Sequence, residues 1–383
     1  MEFNNLPQNL ADQVFEKEQL WSEVLQAIPE MINLRGIFDK LHARIKAGES
    51  VNILFTDIDH TLSLHGKGYS SEETTLSNAA TLEVLELLDD NQVVVIPVTG
   101  SSWSGTNGSS KNISQRIGDG DLPAVFDVLV TSGGNVATFR NEQGYATEYP
   151  YNQYIAELNE SFDKTHMLSA AIGLTAEIND SQCNFPFEYV RKTSVELNFP
   201  YPKSDKIIYP QDNNAVRDYS YHMYFFAQDA ENANHIQRLV NEKLGANYKV
   251  VICEEKDHNS SYAKAKSKEW PKKFCLDVAL TDKSTPLEYY HGLVTKASNV
   301  ISERLGKSSK CEIKTFYAGD AGNDWPAFRS SVVDSAVIVG NAAPELTARK
   351  EDLICLGKEV HIAAETKKGP HALLAYFKNY FKE

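Results

Sequence analysis

Two short stretches of the 383-residue chain hold carboxylates at a spacing that can do chemistry. In the first, Phe55-Thr56-Asp57-Ile58-Asp59-His60-Thr61-Leu62, two aspartates stand two residues apart directly after an apolar run. At a strand end both can point into one cavity, although such a pair is also ordinary turn chemistry. The second, Tyr317-Ala318-Gly319-Asp320-Ala321-Gly322-Asn323-Asp324, follows another apolar run and adds two more carboxylates, with glycines that let backbone approach a ligand. Asp57, Asp59, Asp320 and Asp324 at two strand ends would repel one another unless a cation sits among them. Magnesium suits this set, because it prefers oxygen and keeps waters and a substrate phosphate in its shell.

Strands must carry these groups, and five apolar runs have that character: Val51 to Thr56, Val93 to Thr99, Val125 to Thr131, Thr315 to Ala318 and Ala336 to Val339. Helical spacing lies between them, as in Leu76 to Leu88 and Pro326 to Arg329. Strand and helix therefore alternate as in an α/β fold with a doubly wound, Rossmann-like parallel sheet. In open sheets of this kind ligands bind beyond the carboxyl ends of the strands, which here carry Asp57, Thr99, Ser132 and Asp320. The interval between Thr131 and Thr315 is too long for a crossover. Strands at Tyr221 to Ala227, Tyr248 to Cys253 and Phe274 to Leu280, with a helix from Glu231 to Leu244, make it an inserted α+β unit over 155–275, with the polar stretch Asp257 to Lys268 as an exposed loop. The core then comprises 51–154 and 276–383. Residues 1–50 form a helical extension, broken at Pro29, whose apolar face (Leu20, Trp21, Val24, Leu25, Ile28, Met31, Ile32) can dock on the rest of the chain or on a second copy; docking within the chain is the default.

With the elements in place, the motifs resemble those of the haloacid dehalogenase superfamily. The likeness is to its subclass IIB branch of Cof-type sugar phosphatases, sucrose-phosphate phosphatase and phosphomannomutase. Asp57, Asp59 and Thr61 match its Asp-x-Asp-x-Thr; Thr99, before Gly100, matches the Ser or Thr closing the second strand. Lys283 matches the lysine before a helix, and Gly319, Asp320, Asn323 and Asp324 match Gly-Asp-x-x-Asn-Asp. Ser132-Gly133-Gly134-Asn135 and Val339-Gly340-Asn341-Ala342 are weaker echoes, and the insert falls where this branch carries a C2-type cap. The resemblance spans roughly 51–383 and implies a phosphatase with an aspartyl-phosphate on Asp57. Asp59 would be general acid and then base, and Thr99, Gly100, Lys283 and Asn323 would receive the phosphate. Magnesium would be held by Asp57, Asp320 and the carbonyl of Asp59, with Asp324 in the outer shell or orienting Lys283.

Some positions depart from the pattern. His60 stands where many relatives have glycine, and Ser101 where a basic residue is common. Lys272, Lys273 and Lys296 compete with Lys283 for the lysine's place. The segment Gly100 to Ser110 reads as a surface loop, and Arg191, Lys192 and Arg217 of the insert read as solvated charges. Leu373, Leu374, Tyr376, Phe377, Tyr380 and Phe381 form a helical stripe that reads as core.

Composition limits the partners. A net charge of -14 disfavours nucleic acid and anionic membranes, no run of eighteen uninterrupted apolar residues is present, and the first residues lack a leader's basic and apolar segments. The expected setting is the cytoplasm. Five scattered cysteines (Cys183, Cys253, Cys275, Cys311, Cys355) read as buried free thiols. The leading expectation is hydrolysis of a phosphorylated small molecule, best a sugar phosphate; a phosphomutase and a non-catalytic binding protein of the same fold are the rivals.

Overall fold

The structure, a computed structural model, describes residues 8–64, 69–101, 103, 112–134, 136–141, 144–146, 189–192, 221–227, 230–245, 248–254, 274–279, 281–307 and 311–382. At its centre lies a five-stranded parallel sheet. The strands are β1 (Val51–Thr56), β2 (Val94–Pro97), β10 (Ile313–Gly319), β11 (Ser335–Ile338) and β12 (Glu359–Ile362), in the order β12-β11-β10-β1-β2. All six residues of β1 are buried, as a central strand covered on both faces requires. Its alternate side chains serve two cores. Val51, Ile53 and Phe55 join one apolar cluster, packed by helices α1 (Gln8–Ala27), α2 (Arg35–Ala47) and α6 (Ser284–Arg304). Leu54 joins the other, packed by α3 (Ser71–Asp90) and α10 (Pro370–Tyr380). The sheet is thus doubly wound.

The expected third strand is shorter than the apolar run. Val125 is 47% exposed, and β3 begins only at Val128, ending at Thr131. It reaches the parallel sheet through one bridge, Val98 to Val130, and its ladder is instead antiparallel with β4 (Val136–Asn141), which pairs with β5 (Gly144–Ala146). One core strand has no apolar run to announce it: β12, Glu-Val-His-Ile, is an edge strand that alternates exposed and half-buried residues. The insert supplies β6 (Tyr189–Lys192), β7 (Tyr221–Ala227), β8 (Lys249–Glu254) and β9 (Phe274–Ala279), an antiparallel sheet in the order β6-β7-β9-β8. Helix α5 (Ala230–Leu244) packs on β7 and β9.

The N-terminal helices dock within the chain. Leu20, Val24, Ile28, Met31, Phe38 and Leu41 are buried in the same cluster as β1 and α6. Pro29 does break the helix, starting a 3-10 turn (Pro29–Asn33). That turn shifts the helical phase and leaves Ile32, expected on the apolar face, 52% exposed. Of the C-terminal stripe, Leu373 and Phe377 are core and the other four residues are half-buried against it. Cys311 and Cys355 are free, but Cys311 is half-buried and Cys355 exposed, so the expectation of buried thiols fails for both. Cys355 closes a short surface helix, α9 (Lys350–Cys355). Among the described residues no helix is long and apolar enough to cross a membrane. The loop expected at Asp257 to Lys268, together with Cys183, Arg217, Asn135, Lys272 and Lys273, lies outside the described residues.

Candidate active site

β1 is paired on one side with β2 and on the other with β10, so the chain winds away from it in both directions. The crevice at this reversal is where an open sheet binds ligands, and Asp57 and Asp320 follow its two strands. The ladder extends one step beyond β1, with the Asp57 N–H donating to Ala318 O at 2.8 Å. After it the chain turns tightly: the N–H groups of Thr61, Leu62 and Ser63 all reach Ile58 O, and His60 takes φ of 62°. That left-handed conformation is why glycine would be at ease there, and histidine is among the residues that tolerate it. Asn341 clasps the turn from the β11 side. Its Nδ2 donates to His60 O at 2.8 Å, while its Oδ1 accepts from Gly369 N at 2.7 Å.

Asp57, Asp320 and Asp324 form a buried group in which one carboxylate oxygen from each lies within 4.8 Å of the others. Lys283, 2% exposed, enters it with Nζ 2.8 Å from Asp57 Oδ1 and 2.7 Å from Asp324 Oδ1. Lys296, by contrast, is exposed on α6. The turn that presents Lys283 is braced by the turn after β3, since Thr281 Oγ1 donates to Gly133 O at 3.2 Å. The next glycine, Gly134, passes so close that a Cβ would sit 2.7 Å from Asp282 O.

The three carboxylates are not equivalent. Asp324 is saturated: Oδ1 accepts from Lys283 and from the Tyr317 hydroxyl at 2.6 Å, and Oδ2 accepts the N–H groups of Asp320 at 2.9 Å and Ala321 at 3.0 Å. Among the described residues, Asp320 accepts only a long 3.4 Å bond from Thr61. Open lone pairs therefore belong to Asp57 and Asp320, with Asp324 acting as the buttress that orients Lys283. Three carboxylates meet one ammonium, which leaves an excess of negative charge in a dry site. Burial, reinforced by Asp324 and Asp59 against the pull of Lys283, raises Asp57 to about 7. Burial with Asp324 and Asp57 raises Asp320 well above the usual carboxylate range. Lys283 stays protonated, because Asp324 and Asp57 outweigh the opposing effect of its burial. All-oxygen donors, excess negative charge and unused lone pairs on Asp57 and Asp320 suit a hard divalent cation.

Asp59 stands apart from that group, with its side chain 33% exposed. Its Oδ2 accepts from Ser101 Oγ at 2.6 Å and Thr99 Oγ1 at 3.3 Å, and its Oδ1 is paired with the guanidinium of Arg116. Burial pushes the Asp59 carboxyl up, but Arg116, Ser101 and His60 together more than cancel this and hold it below its usual range. Thr99 is buried, and its hydroxyl is engaged with Asp59 and with Ser101 N at 3.0 Å. Gly100 lies against Asn323, whose Nδ2 would touch a Cβ there at 3.4 Å. The buried Oδ1 of Asn323 has no hydrogen-bond partner.

No sequence signal marks Arg116. It sits on α4 (Ile113–Gly118), in a stretch without an apolar run or motif, and only the fold brings it to Asp59. Ser101, read as the place where a basic residue is missing, faces the same carboxylate to which Arg116 supplies the positive charge. The side chains of Arg191 and Lys192 on β6 are not described.

No protein-family model and no curated protein matches the chain. Several solved structures align with most of it. A haloacid dehalogenase-like hydrolase of Bacillus subtilis is 14% identical, covering 87% of this chain and 97% of its own, with a TM-score of 0.42. For a sugar phosphatase of haloacid dehalogenase subclass IIB the values are 16%, 86%, 99% and 0.41. For the C-terminal domain of trehalose-6-phosphate phosphatase from C. albicans they are 10%, 88%, 95% and 0.44. Function is therefore read from the side chains.

Proposed function

We propose that the protein is a magnesium-dependent phosphatase of the haloacid dehalogenase type, acting on a small cytoplasmic phosphomonoester, with a sugar phosphate as the preferred class. The observation that carries this reading is the pairing of Asp57 with Lys283 beside the open carboxylate of Asp320, two residues before a separately held Asp59. A carboxylate at the sheet's switch point is a competent nucleophile, and its acyl phosphate hydrolyses readily.

In this mechanism Asp57 attacks phosphorus in line with the leaving oxygen. The Lys283 ammonium, fixed by Asp324, neutralises charge on the phosphoryl oxygens. Magnesium, held by Asp57, Asp320 and the backbone carbonyl of Asp59, would supply further charge neutralisation for an anion attacking an anion. Asp59, held as a carboxylate by Arg116 in the free protein, takes up a proton when the anionic phosphomonoester enters beside it and gives that proton to the departing oxygen. The carboxylate so formed then takes a proton from the water that attacks the aspartyl-phosphate. Gly100 and Asn323, facing each other, offer a backbone N–H and an amide to the transferred group. The β6 to β9 sheet and α5 serve as cap, with β8 lying over the turn Gly322–Asp324.

Phosphate release from hexose phosphates and other phosphomonoesters, with and without magnesium, tests this for wild type and Asp57→Asn. Magnesium-dependent release by wild type alone is the expected result. Release by a folded Asp57→Asn would refute the nucleophile. Transfer of phosphate to a second hydroxyl of the sugar, in place of release, would make the protein a phosphomutase using the same residues.

A further inference from the structure

Arg116 is a buried cation committed to one carboxylate. Its guanidinium is 1% exposed, Nη1 pairs with Asp59 Oδ1, and the equally enclosed Nε and Nη2 have no hydrogen-bond partner. An arginine retained only to brace the fold would be expected to spread its five donors over nearby carbonyls, because unsatisfied buried N–H groups are costly. Here, among the described residues, the side-chain hydrogen bonds of Arg116 go to Asp59 alone.

The backbone beneath the guanidinium is fixed at both ends. A capping box opens α4: Asn112 Oδ1 accepts from Gln115 N at 2.9 Å, and Gln115 Oε1 accepts from Asn112 N at 3.1 Å. On the far side Arg116 O accepts from Asp121 N at 2.7 Å and Leu122 N at 3.1 Å. The carboxylate is thus gripped from two directions, Oδ1 by α4 and Oδ2 by Ser101 and Thr99 after β2. One third of its side chain remains exposed.

We propose that Arg116 is the positioning residue of Asp59, holding its carboxyl group toward the leaving oxygen of the phosphomonoester so that bond cleavage and proton delivery coincide. In that step a bond forms between Asp57 oxygen and phosphorus and the bond from phosphorus to the leaving oxygen breaks. The Asp59 proton passes to that oxygen, and the resulting Asp59 carboxylate remains paired with Arg116. The inference rests on the proposed phosphatase reading and adds to it a residue 57 positions along the chain from Asp59.

Leaving-group dependence tests it. The kcat/KM for two substrates would be measured in magnesium: p-nitrophenyl phosphate, whose phenolate leaves without a proton, and the hexose phosphate that wild type turns over fastest, whose alkoxide requires one. With Arg116→Ala, kcat/KM for the hexose phosphate should fall by about 100-fold, the size of a general-acid contribution, and that for the aryl ester by no more than about threefold. Added guanidinium should restore part of the hexose phosphate activity. Arg116→Lys, which keeps the charge without the fork, should fall between and carries the test if the alanine variant does not fold. Equal losses on both substrates in the folded variants, or no loss on either, would overturn the inference while Asp57→Asn remains inactive. A wild type inactive on both esters would overturn the phosphatase reading and this inference with it.

Discussion

Asp320 and Asp324 belong to one short motif, yet neutralising them should act on stability in opposite ways. In Asp324→Asn an amide nitrogen must replace one of two oxygens that each accept two hydrogen bonds. Turned toward the backbone, it would face two N–H donors that cannot move. Turned toward Lys283 and Tyr317, it faces one hydroxyl that can rotate to accept, so only the bond from Lys283 is lost outright. A charge-assisted bond of this kind contributes about 1.5–3 kcal/mol, which is the expected loss. Asp320→Asn keeps an oxygen for the single long contact from Thr61 and removes one charge from an overcharged group, so without metal it should cost nothing or stabilise. Urea unfolding in a chelator, followed by tryptophan fluorescence, measures both. Magnesium at about 100 times its Kd should then add about 2.7 kcal/mol to wild type and much less to Asp320→Asn. Equal losses in the two variants without metal would refute the division into a saturated buttress and an open ligand.

Two further outcomes follow from the same structure. Gly134 has φ of 103° and its Cβ position lies 2.7 Å from Asp282 O, so Gly134→Ala should cost about 1–3 kcal/mol in urea unfolding and lower the proposed phosphatase activity by displacing the turn that carries Lys283. Burial lowers His42, His291 and His361 from an ordinary value of 6.5, with Lys17 and Lys46 adding to the effect at His42. A depressed histidine favours the fold while neutral, so its contribution is complete above pH 6.5 and is lost as pH falls through the lower folded value. Urea midpoints with magnesium in excess, which keeps the carboxylate group ionised, should drop between pH 8 and 5, and His42→Gln should shallow that drop. A steeper drop in the variant would reverse the sign argued here.

The α/β class was legible because a buried parallel strand must be apolar along its whole length, as Val51 to Thr56 is, and because each such run ends in polar or glycine-rich residues. β12 escaped notice since an edge strand half open to solvent needs no apolar run. β3 is shorter than its apolar run, since Val125 and Phe126 are apolar and only one of them is buried. Ile32 leaves the apolar face because the turn at Pro29 changes the phase from which a helical face is counted.

At the site, the sequence by itself determined which chemistry was on offer: aspartates two residues apart after one strand, two more after another, and a lysine before a helix. Such groups announce themselves because each lies within a few residues of its strand end, where local geometry dictates direction. Tertiary structure alone decided how they divide the work. Lys283 lies 2.8 Å from Asp57 while Lys296 is exposed on α6, Asp324 is taken out of the open set by four donors, and Arg116 comes to Asp59 from another element. The physical reason is that buried charge is balanced in three dimensions: the partner that neutralises a carboxylate must be near it in space, and nothing requires it to be near in the chain.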